Sequence, residues 1–84
     1  MLITFYGSRG SYPIADEEQR RFGGHTTCFH IESACGEHII LDAGTGIHAL
    51  GKRLMEQEFA TGQGVANLFF THTHWDHILG LPFF

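Results

Sequence analysis

Apolar and polar positions change period along this chain, and each change marks an element. Leu2-Ile3-Thr4-Phe5-Tyr6 mixes branched and aromatic side chains and stops at Gly7, which predicts a first strand running into the loop Gly7-Ser8-Arg9-Gly10. Pro13 and the charged residues 16–21 continue that loop as a surface excursion, and Gly23-Gly24 turns the backbone sharply at its end. Cys28-Phe29-His30-Ile31-Glu32 and His38-Ile39-Ile40-Leu41 flank the short connection Ser33-Ala34-Cys35-Gly36, the pattern of a hairpin. From Ile47 the period lengthens: Ile47, Leu50, Leu54, Met55 and Phe59 recur at helical spacing, while Lys52, Arg53, Glu56 and Gln57 take the other side. One amphipathic helix, ended by Gly62 and Gly64, is the simplest reading. Residues 65–70 are nearly all apolar and predict a short strand of the buried kind found beneath helices. Helix followed by strand implies a crossover, so the fold class is α/β, a layered sandwich. With no repeat, low-complexity tract or linker, residues 1–84 are expected to form a single domain.

The densest chemistry follows the last strand. Thr71-His72-Thr73-His74-Trp75-Asp76-His77 packs four candidate metal ligands into six positions. Neutral imidazole and carboxylate suit zinc, manganese or iron. If the apolar run is a strand, alternation points His72 and His74 the same way at its exit, where they can grip one ion together. Asp76 and His77 follow where the backbone must leave the strand, and can hold a second ion beside the first. Two neighbouring divalent ions are the economical reading. Asp76 also stands where it can cap a helix beginning near Ile78. Asp42, at the end of a predicted strand before Gly44 and Gly46, has two readings of equal weight: a carboxylate orienting a ligand histidine through its other nitrogen, or a cap for the helix that starts near Gly46. Trp75 is expected to pack under the loop and fix its shape.

His72-x-His74-x-Asp76-His77 after an apolar strand resembles the signature of the metallo-β-lactamase superfamily of dinuclear metallohydrolases. Leu41-Asp42-Ala43-Gly44-Thr45-Gly46 resembles the turn that precedes the signature there. Arg9-Gly10-Ser11 and Gly23-Gly24-His25-Thr26-Thr27-Cys28 are similar to a ribonuclease Z-like and phosphodiesterase-like subgroup, whose members often carry Asn where this chain has His25. The resemblance implies a four-layer αββα sandwich more than twice this length, of which the chain is the N-terminal part, with further ligands supplied beyond Phe84. It also implies hydrolysis of phosphodiesters, with Asp76 as ligand and as the acceptor that orients the attacking water, and with the Arg9 and His25 loops as the rim.

Composition narrows the partners. A net charge of −4 leaves no basic footprint for nucleic acid, and Arg20-Arg21 and Lys52-Arg53 read as solvated pairs. A small-molecule or phosphodiester substrate is expected instead, and homo-oligomers stay open. Cys28 and Cys35 lack the spacing of a zinc ribbon or redox motif and read as small buried residues, which points to a cytoplasmic setting. No run approaches a membrane span, and the first residues do not form a secretory signal. His25, His30, His38 and His48 are scattered and read as ordinary histidines, with His25 the nearest to a substrate rim. Gly44-Thr45-Gly46 lacks the lysine and remaining positions of a phosphate-binding loop. Because a catalytic zinc takes about three protein ligands and this chain offers two to each ion, three classes stand side by side: a hydrolase, a metal-binding chain without catalysis, and a non-enzymatic interaction module with an exposed sheet.

Overall fold

The computed structural model describes residues 1–10, 13 and 23–84. The excursion expected at residues 16–21 and the position of Ser11 lie outside the described residues. Strand β1 spans Leu2–Gly7, β2 Cys28–Glu32, β3 His38–Leu41 and β4 Ala66–Phe69. Helix α1 spans Ile47–Leu54, a 3-10 turn spans Glu58–Thr61, and the short helix α2 spans Trp75–Ile78, followed by a 3-10 turn at Leu81–Phe83. The four strands form one mixed sheet in sequence order. β1 with β2 and β2 with β3 are antiparallel, and β3 with β4 is parallel, with α1 in the crossover between them. The hairpin and the crossover are thus where the period changes place them, and the fold is α/β. Among the described residues no helix is long and apolar enough to cross a membrane.

The core lies between the sheet and α1. Ile47, Leu50 and Leu54, one stripe at helical spacing, are buried against Cys28, Ile40 and Ala43, and Tyr6, Phe59, Ala66 and Leu68 pack around them. Each large aliphatic so placed contributes about 1.5–3 kcal/mol. The helix is shorter than its apolar period suggests. It stops at Leu54, Met55 is 58% exposed, and Phe59 reaches the core from the separate 3-10 turn. His38 explains the break: its ring meets Phe59 edge-on at 5.2 Å and its Nε2 lies 3.1 Å from Glu58 Oε1, so the chain is drawn back over β3. Gly62, at φ 77°, takes the left-handed turn that closes this segment.

His30 and His38 are both buried, from neighbouring strands, with Nε2 of one 2.9 Å from Nδ1 of the other and their rings stacked. They are ordinary histidines in the sense expected, satisfied by each other and by Glu58. Two other expectations fail. Cys28 is buried but Cys35 is exposed, because it sits on the tip of the hairpin. Among the described residues β4 is covered on one side only, with Phe69 56% exposed, since α1 packs on a single face of the sheet. On the opposite face the register aligns Phe5, Phe29, Leu41 and Phe69 in one row and Ile3, Ile31 and Ile39 in the next. Phe5 and Phe29 meet there with centroids 4.9 Å apart and ring planes tilted by 40°.

Candidate metal centre

Three turns are sewn together at the ends of β3 and β4. Asp42 leaves β3 with φ 65°, the positive φ that a short polar side chain tolerates best. That costs about 1–3 kcal/mol and needs surrounding bonds to hold it. They are present: the Asp42 N–H donates to the Phe69 carbonyl at 2.8 Å, Ala43 N–H to the His77 carbonyl at 2.7 Å, and Gly80 N–H to the Ala43 carbonyl at 2.8 Å. Gly44 is required by close approach, because a Cβ there would collide with the Asp76 carbonyl on one side and Thr26 on the other. Thr26 and Thr45 exchange bonds, each backbone N–H donating to the other's hydroxyl at 2.9 and 2.8 Å. The loop carrying His25 is thereby fixed beside the turn after β3.

The Asp42 carboxylate is the buried centre of this arrangement. Oδ1 accepts the Thr71 N–H at 2.7 Å, while Oδ2 accepts the Thr71 hydroxyl at 2.7 Å and His77 Nδ1–H at 2.8 Å. Burial alone raises its pKa, but the donors from Thr71 and His77 outweigh that and hold it below the ordinary carboxylate value. The helix-cap reading of Asp42 is therefore set aside: Gly46 occupies the cap of α1 and no side chain bonds there. Nor does Asp76 cap α2, whose cap residue is His74 and whose first turn contains Asp76.

His72, Asp76 and His77 come together, each offering a ligand atom within 4.8 Å of the others. The His72 and His77 rings lie 3.8 Å apart by centroid. His74 stands outside that group of three among the described residues, its ring edge-on to His72 at 4.7 Å. In the neutral ring, with Nδ1–H of His77 committed to Asp42, Nε2 carries the free lone pair, and it lies 3.3 Å from Asp76 Oδ2. Two acceptors facing at that range repel unless a proton or a cation lies between them. Zinc bonds of about 2.0–2.2 Å at tetrahedral angles separate ligand atoms by roughly 3.3–3.6 Å, so the pair has the spacing of one coordination edge. The donor set fits a divalent ion.

Trp75 does not pack under the loop. It is 75% exposed because it opens α2 on the outer side of the turn. His25 is exposed, with Nδ1 3.4 Å from the Thr45 hydroxyl. The polar partners that sequence reasoning passed over are Thr71, which stands at the head of the cluster, and the Thr26–Thr45 exchange, whose members are too far apart in sequence to leave a local signal.

Residues 21–84 match the metallo-beta-lactamase superfamily, and the chain belongs to that superfamily. Among curated proteins it is similar to ribonuclease Z of Haloferax volcanii, 34% identical over 82 residues, covering 98% of this chain and 22% of that protein. It is likewise 35% identical to ribonuclease Z of Natronomonas pharaonis and 29% identical to that of Haloarcula marismortui, with the same coverage. The chain thus spans about a fifth of the length of these relatives (22%). No solved structure matches it significantly.

Proposed function

We propose that this chain carries part of the metal centre of a hydrolase that cleaves phosphodiesters, RNA foremost, with His72, His74, Asp76 and His77 as ligands of two divalent ions, zinc first and manganese or iron next. The observation that carries the reading is the facing pair His77 Nε2 and Asp76 Oδ2, held at coordination spacing by the buried Asp42. Superfamily membership and similarity to proteins named ribonuclease Z support it. Bound divalent ions supply Lewis acidity, lowering the pKa of water and neutralising charge on the attacked phosphate. Asp76 would serve both as a ligand and as the hydrogen-bond acceptor that orients the attacking water. Asp42 keeps His77 in one tautomer, and its own low pKa keeps it an acceptor at neutral pH. The chain's charge of −4 supplies no counter-field for a polyanion, so within these residues phosphate neutralisation falls to the ions.

A second reading rests on a specific observation: among the described residues, four candidate donors, three of them clustered, are fewer than two catalytic zinc ions require. On that reading the 84-residue chain binds metal without turnover. Hydrolysis of bis(p-nitrophenyl) phosphate and of a short RNA, with zinc or manganese added, separates the two when run on this chain and on a longer natural chain containing it. Turnover only by the longer chain supports the second reading for this segment and the hydrolase reading for the whole. No turnover by either removes the hydrolase. A non-enzymatic interaction module predicts no bound metal at all, which elemental analysis decides.

A further inference from the structure

We propose that Thr71 is a positioning residue that sets the tautomer of His72, so that one buried carboxylate orients two imidazoles, His77 directly and His72 through the threonine hydroxyl; its relevance to metal rests on the reading above. A hydroxyl has one hydrogen to give and two lone pairs to receive with. Thr71 Oγ1 lies 2.7 Å from Asp42 Oδ2, the length of a charge-assisted O–H···O bond. The ionised carboxylate has no hydrogen of its own, so the hydroxyl hydrogen is spent there. His72 Nδ1 lies 3.1 Å from the same Oγ1. That contact is a hydrogen bond only if Nδ1–H donates. A neutral imidazole protonated on Nδ1 carries its lone pair on Nε2.

The same count settles His77. Its Nδ1 is 3.4 Å from Thr71 Oγ1 but 2.8 Å from Asp42 Oδ2, so its hydrogen goes to the carboxylate and Nε2 is again the open nitrogen. Both rings are therefore set with the same nitrogen open, from one anchor that also accepts the Thr71 backbone N–H at Oδ1, 2.7 Å away. The reverse arrangement, with the hydroxyl donating to His72, would leave two oxygens 2.7 Å apart with no hydrogen between them. Branching at Cβ limits the rotamers Thr71 can reach, which suits a relay that must face two partners at once.

The test compares Thr71→Val, which removes the hydroxyl, with Thr71→Ser, which keeps it. Nitrogen-15 NMR of the metal-free protein, recorded over a pH series, distinguishes the two neutral tautomers and the cation of each histidine. His72 protonated on Nδ1 in the unsubstituted chain and in Thr71→Ser, but shifted toward Nε2–H in Thr71→Val, supports the relay. The tautomer of His77 should stay on Nδ1–H in all three. His72 found as Nε2–H in the unsubstituted chain, or unchanged by Thr71→Val, overturns the proposal, and the first of these needs no variant to fold. A parallel zinc titration should show affinity lower by about 10–100-fold in Thr71→Val and restored by serine. If the unsubstituted chain takes up no zinc, the metal reading fails while the NMR result still decides the relay.

Discussion

Asp42 Oδ2 sits 2.8 Å from His77 Nδ1, joining a buried carboxylate at the end of one strand to an imidazole in the short helix α2 that follows the next. Chain neighbours do not enforce this contact. It exists because Asp42 adopts a left-handed backbone and because β3 and β4 are parallel neighbours, so that both strand exits open at the same edge of the sheet.

Asp42→Asn keeps the shape but removes the charge that three donors share. Leaving those donors imperfectly paired in a buried site costs about 1–3 kcal/mol, readable as a lower urea midpoint. Metal affinity should fall by about 10–100-fold in the same variant. An unchanged zinc affinity would separate Asp42 from the centre.

The acid limb of stability follows from the same carboxylate. Its folded pKa is depressed below the ordinary 3.8, so it contributes stability that is present above 3.8 and lost as pH falls through the folded value. Urea midpoints measured at steps below that pH should decline in the unsubstituted chain and flatten in Asp42→Asn.

His30 produces a second window at higher pH. Burial, then the neighbouring His38, holds its pKa below the ordinary 6.5, so the unfolded chain takes up a proton that the folded one resists. Stability is complete above 6.5 and falls as pH drops below it toward the folded value. Replacing His30 with Leu should flatten that slope without touching the acid limb set by Asp42.

The two thiols should react at very different rates. Burial, with the Asp42 charge nearby, pushes Cys28 up to about 12, whereas Cys35 is exposed on the hairpin tip. A disulfide reagent at neutral pH should modify one thiol in the folded protein and both after unfolding. Two fast-reacting thiols in the folded state would contradict the position of Cys28.

Strand positions, the hairpin and the start of α1 were legible because burial on one face writes period two or period 3.6 directly into the side chains. The grouping of His72, Asp76 and His77 was legible because they are close in sequence as well as alike in chemistry, whereas His74, equally close in sequence, stands outside that group. The end of α1 was not: Met55 and Phe59 keep the helical period, yet Phe59 enters the core by a turn that a histidine on β3 holds in place. Periodicity reports which side chains are apolar, not which partner collects them. Cys35 and Trp75 were misplaced for a related reason, since both types are usually buried and here each sits where the backbone turns outward. The two readings of Asp42 were separable only by partners far away in sequence, Thr71 and His77.

Metal content tests the central claim most directly. The purified chain, loaded with zinc and dialysed, should retain metal by elemental analysis, and His77→Ala and His74→Ala should each retain markedly less than Cys35→Ala, which sits far from the loop in sequence and on the hairpin tip. Equal metal in all of them, or none in the unsubstituted chain, would contradict the account.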